Sequence, residues 1–112
     1  MIEKIVIQYL TGLLDVPVYA EQPEDKVDSF VIVEKTSSGR EDYINSATIA
    51  LQSYASTRAK ASELNESVKG YMDEIVTLSN VSDSKLNSDY NYTDTSTRHH
   101  RYQAVYDLVF FD

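Results

Sequence analysis

The residues best equipped for chemistry in this chain are two adjacent histidines, His99-His100, framed by Arg98 and Arg101. Neighbouring side chains of a strand point to opposite faces, so this pair cannot close on one metal ion from a regular ladder. Chelation would need a spacing of i,i+2 on a strand or i,i+4 on a helix, and neither spacing occurs. The group reads instead as a small basic spot at the mouth of a strand, either solvated or facing an interface. The carboxylates Glu63, Glu66, Asp73 and Glu74 alternate with Lys60 and Lys69 along one helical face. Lys69 and Asp73 stand i,i+4 apart, the spacing of a solvated ion pair. General acid and base work needs two carboxyl groups converging in a pocket, which this pattern does not provide. Asp89-x-Asn91-x-Thr93-Asp94 imitates a calcium loop but lacks the sixth-position glycine, and His100 stands where a bidentate Glu belongs. There is no G-x-S-x-G elbow, and three glycines in all provide no phosphate-cradling loop. The expectation is a protein without catalytic, cofactor or metal residues, and not an enzyme.

Composition narrows the partners. The chain has 112 residues, a formal net charge of −8 and 42% hydrophobic residues, which fits one globular α+β domain over residues 1–112. The charge counts against nucleic acid gripped across a broad surface, because phosphates need clustered Lys and Arg. Tyr90, Tyr92 and Tyr102 could stack bases on a sheet, but only residues 98–101 would assist the phosphates. The absence of Cys removes disulfides and thiolate chemistry. Met1 leads directly into an amphipathic segment, so no signal peptide is expected. No apolar run approaches the ~20 residues of a membrane span. Nine tyrosines against no Trp fit partly wet positions at sheet edges and interfaces.

The elements that must position these groups are read from periodicity. Residues 2–14 place Ile2, Ile5, Val6, Tyr9, Leu10 and Leu13 on one helical face, with Gly12 marking the stop. Val18-Tyr19 is a short extended piece held to an edge by Pro17. Residues 29–35 (SFVIVEK) are apolar on both faces and read as a central strand. Residues 36–43 (TSSGREDY) read as a turn or a longer flexible loop closing an antiparallel hairpin. Residues 44–55 (INSATIALQSYA) alternate Ala47, Ile49 and Leu51 with Thr48, Ala50 and Gln52. Ser56-Thr57 starts a helix whose stripe is Ala61, Leu64, Val68, Tyr71, Met72 and Ile75. Residues 81–93 read as an irregular or edge strand with a bulge, and residues 94–97 as a turn. Residues 98–111 form a strand with Tyr102, Ala104, Tyr106, Leu108 and Phe110 on one face. Val105, Val109 and Phe111 on the other call for a second cover, from a neighbouring chain or element. The order is α-β-β-β-α-β-β, a mostly antiparallel sheet of four to five strands with two helices on one face.

Four passages together resemble the small tail-terminator (tail-completion) proteins of long non-contractile-tailed bacteriophages. They are the first helix ending in DVPVYAEQPED, the strand and turn SFVIVEKTSSG, the strand-to-helix passage IALQSYASTRAKASELNESV, and the closing strand TDTSTRHHRYQAVYDLVF. The resemblance implies a homo-oligomeric ring, a hexamer, that caps the tail tube, stops tail elongation and offers the head-attachment surface. It implies a tail-tube protein and a head-completion or connector protein as partners, with double-stranded DNA passing through the lumen unbound. The setting it implies is the head–tail junction of a virion assembled in the host cytoplasm, with no membrane. The acidity suits a channel wall that repels DNA. The family offers no catalytic motif, so the candidate residues are interface residues: Arg40, Glu41, Asp42 and Tyr43 in one group, and Tyr90, Tyr92, Arg98 and His99 in the other. A head-completion or connector ring of the phage neck, and a small monomeric protein-binding module, are the alternative readings.

Overall fold

A strand whose alternate residues are apolar must bury one side, and residues 44–55 set the plane of the sheet. A computed structural model describes residues 2–25, 27–93 and 99–111. Its elements are α1 (Ile2–Thr11), β1 (Val18–Tyr19), β2 (Phe30–Glu41), β3 (Ile44–Ala55), α2 (Arg58–Asp73), a 3-10 turn at Ile75–Thr77, β4 (Val81–Asn91) and β5 (His100–Phe110). The strands form one five-stranded sheet in the order β1-β2-β3-β5-β4. β1 joins β2 in parallel, and every other pairing is antiparallel.

Asn45, Ala47, Ile49, Leu51, Ser53 and Ala55 of β3 all turn inward and are buried. Val31 and Val33 of β2 and Ala104, Tyr106 and Leu108 of β5 line up beside them, as the register Leu51↔Val33 and Leu51↔Ala104 requires. Val6 and Leu10 of α1 and Val68 and Met72 of α2 close over this face, so both helices lie on the same side, as their stripes require. α2 starts where Thr57 Oγ1 accepts the Lys60 N–H at 3.2 Å, satisfying one of the first-turn donors. Asn65 interrupts the apolar stripe yet is buried, and its Nδ2 donates to Asp89 Oδ1 at 2.7 Å.

Four expectations need correction. α1 ends at Thr11 instead of residue 14, because the N–H groups of Leu13 and Leu14 both turn back onto the Leu10 carbonyl. Residues 36–41 are not a loop: β2 continues to Glu41, and the ladder with β3 runs to the pair Glu41↔Ile44. The polar TSSGRE segment pairs because β3 is itself held along its length by β5, and so offers a straight template. The ladder accommodates a register shift between Lys35 and Ser37, where the Thr36 hydroxyl donates to the Thr48 carbonyl at 3.3 Å. Lys69 does not pair with Asp73. It reaches Glu66 at 2.8 Å and crosses to Asp89 of β4, while Asp73 accepts the Tyr106 hydroxyl at 2.8 Å. The last strand begins at His100, and the turn expected over residues 94–97 lies outside the described residues, as does Arg98.

β4 is the edge strand with bulges that its weak alternation implies, carrying two register shifts. Few of its side chains are buried, so polar bonds hold it to α2. Ser84 Oγ donates to the Met72 carbonyl at 2.7 Å, and Asp89 receives both Asn65 and Lys69.

This network sets an alkaline limit on stability. Burial first, and then the bond to Asp73, push the Tyr106 hydroxyl well above its usual range. The bonds to Asp89 and Glu66 raise Lys69. Each group holds its proton more tightly in the folded chain, so its contribution is complete below its unfolded pKa and fades as pH rises through the folded one. The contribution of these two groups is therefore constant through neutral pH and falls above about pH 10. Tyr106→Phe is expected to cost about 1 kcal/mol at pH 7 and to flatten the alkaline decline, measured by urea unfolding across pH.

Candidate functional site

The two candidate groups lie at opposite ends of the sheet. β3 carries the hairpin turn before Ile44 and pairs with His100 at Ala55. Eleven strand steps separate the ends, roughly 36 Å at ~3.3 Å per residue, within a fold whose longest extent is 44 Å. Arg40, Glu41, Asp42 and Tyr43 occupy the tip. Tyr90, Tyr92 and His99 gather at the mouth.

At the tip the connection is only Asp42-Tyr43, both with positive φ, 50° and 70°. Two such residues between the paired Glu41 and Ile44 make a type I′ turn, the hairpin turn that matches strand twist and that Asn-Gly normally supplies. Neither position here is a glycine. Tyr43 is held in a strained conformation, the residue is 83% exposed, and the Arg40 guanidinium sits 5.9 Å from its ring centroid. Ile44 beside it and Phe111 at the end of β5 are also exposed, so the tip is an apolar knob edged by Arg40, Glu41 and Asp42. A shallow groove of about 420 Å³ runs from Arg40 past Asn45 to Lys35 and Glu3 at the start of α1, where the two charges are 3.9 Å apart.

The mouth is built on the face away from the helices. Phe30 and Tyr54 stack with centroids 4.6 Å apart, and the His99 ring meets both edge-on at 6.3 Å. Arg101 is the organising residue, and it was not among the candidates. Its Nε donates to the Tyr92 carbonyl at 2.8 Å and its guanidinium to the Tyr54 hydroxyl at 2.7 Å. The guanidinium carbon stands 4.3 Å from the Tyr92 ring centroid and 5.4 Å from that of Tyr54. Gln52 then donates to Gln103 at 2.9 Å, and Gln103 to the Tyr90 hydroxyl, carrying the polar row across to β4. Arg101 flanks the histidines in sequence, but its placement beside Tyr54 follows only from the β3–β5 register.

The histidine pair is not fully solvated. Both are half-buried, His99 against Phe30 and Tyr54, while His100 lies opposite Ala55, its Nδ1 buried without a partner among the described residues. Tyr102 points to the helix side, so it does not join Tyr90 and Tyr92 on one platform. Arg98 lies outside the described residues.

Among the described residues no three His, Asp or Glu side chains come close enough to hold a metal ion, and no helix is long and apolar enough to cross a membrane. The described residues of the mouth arrange aromatic faces around the Arg101 guanidinium, which is held by its bonds to Tyr92 and Tyr54. No protein-family model matches the sequence, and comparison with the curated proteins returns no match.

The turn gives a direct test. Tyr43→Gly removes the side chain from a left-handed position and is expected to stabilise the fold by about 1 kcal/mol in urea unfolding. An unchanged or lower midpoint would mean that the Tyr43 ring contributes packing that outweighs the backbone strain.

Proposed function

We propose that this chain is a structural subunit of a phage tail junction, the tail terminator whose ring caps the tail tube, ends its elongation and receives the head. The observation that carries the reading is the separation of the two contact groups. A binding module for one ligand gathers its recognition groups into one site. This chain instead places an apolar, charged-edged knob at one end of its sheet and an aromatic–arginine cluster at the other, which suits a subunit held between different neighbours. The likeness of nearly the whole sequence to tail-terminator proteins supports the same reading. So does the outer sheet face, where Val105 and Val109 are half-buried with both helices on the other side. In this reading the ring is a hexamer in the virion, and its acidic surface lets DNA pass through the lumen without sticking.

The test is co-sedimentation with purified tail tubes and, separately, with portal rings of the same virion. Binding to tubes and not to portals is expected; the reverse preference would transfer the chain to the head-completion side. Arg40→Glu is expected to weaken tube or ring association about tenfold, roughly 1.4 kcal/mol, with an unchanged circular dichroism spectrum. Undiminished association would remove the tip from the interface.

A further inference from the structure

Both edges of the sheet are open among the described residues. β1 pairs only with Val31 and Ile32, which leaves residues 33–41 of β2 with β3 as their single neighbour. At the other edge β4 pairs with β5 alone. The Val31 N–H points outward, donating to the Pro17 carbonyl at 3.0 Å. The alternation of an antiparallel ladder then turns the backbone groups of Val33 and Lys35 outward too. The bulge at Thr36 inverts that alternation, and the tight turn makes Glu41 face β3, so the groups of Ser38 and Arg40 also point outward. Such a row is a ready template for another strand.

We propose that the open edge of β2 pairs with β4 of a second copy, head to tail, so that the sheets of successive subunits join into one continuous band. The inference rests on the ring reading and supplies its subunit contact. Strand direction reverses at β2-β3, β3-β5 and β5-β4, so β4 runs antiparallel to β2. A copy rotated about an axis along the strands therefore presents β4 to β2 in the favoured antiparallel sense. Pairing β2 with β2 alone, or β4 with β4 alone, leaves half the edges open; a single repeated contact closes both edges on every subunit only when it runs head to tail. Charges fit without stagger. Reading the rows across the sheet, Ser37 meets Lys85, Lys35 covers the exposed Leu86 with its aliphatic stem, and Glu34 lies diagonal to Lys85, with no like charges opposed.

The chain has no cysteine, so cross-linking tests this cleanly. Ser37→Cys and Lys85→Cys are combined in one chain, and both sites are exposed. Within one copy they are three strand spacings apart, roughly 14 Å, beyond the ~7 Å Cα separation a disulfide tolerates. On oxidation, the double variant is expected to give a non-reducing ladder that ends in one closed species, and each single variant to stay uncross-linked. A second pair, Glu34→Cys with Ser88→Cys, samples the adjacent row. A covalent dimer from a single variant would overturn the proposal in favour of a two-fold contact. Rings in light scattering without a ladder from either pair would overturn the edge pairing and leave the ring reading standing. A protein that remains monomeric at the highest soluble concentration and with purified tail tubes present, and gives no ladder, overturns both.

Discussion

Everything in this structure depends on the packing of Val68 and Met72 of α2 against Ile49, Leu51, Tyr106 and Leu108 at the centre of the sheet. These six side chains are completely buried. Truncating any one of the aliphatic members to alanine would cost about 2–5 kcal/mol, a large part of what holds a small domain together. The contact fixes α2 over β3 and β5, and Val6 and Leu10 of α1 join the same core, so both helices lie on one side. That asymmetry leaves one sheet face without helical cover, and among the described residues the sheet also has two open edges and two ends with exposed side chains.

The polar interactions act as placement more than as stabilisation. β4 has little apolar surface of its own, so Asp89, with Asn65 and Lys69, ties it to α2. At the mouth, Arg101 holds Tyr54 and Tyr92 in one arrangement through two hydrogen bonds and two ring contacts. Cation–π contacts at partly exposed positions are worth about 0.5–1 kcal/mol each. That is enough to fix rotamers before a partner arrives, so less ordering is left for association itself. At the tip the opposite device operates, with a residue kept in a strained turn and its aromatic ring held out in solvent.

Much of the fold is legible in the sequence because burial leaves periodic traces. The alternation of Ala47, Ile49 and Leu51, that of Ala104, Tyr106 and Leu108, and the α2 stripe each report the same core. The extension of β2 through TSSGRE left no such trace. A polar strand that buries nothing is indistinguishable from a loop until its partner is known, and an Asp-Tyr pair carries none of the glycine signal of a type I′ turn. The candidate residues Arg40 to Tyr43 were found as a group, but as the end of a ladder instead of a loop. Arg101 and Asn65 were missed for a related reason. Their roles depend on residues 47 and 24 positions away in sequence, and only the strand register brings these together. His99 was identified for its charge, whereas its surroundings are two aromatic rings.

The reading of this chain as a ring-forming junction subunit is tested most directly by its oligomeric state. Light scattering behind size exclusion should be measured over a wide concentration range, with negative-stain images of the heaviest peak. The account predicts a closed species of about six times the chain mass, with a central hole wide enough for a DNA duplex. A protein that stays monomeric at every concentration, including in the presence of purified tail tubes, would contradict it.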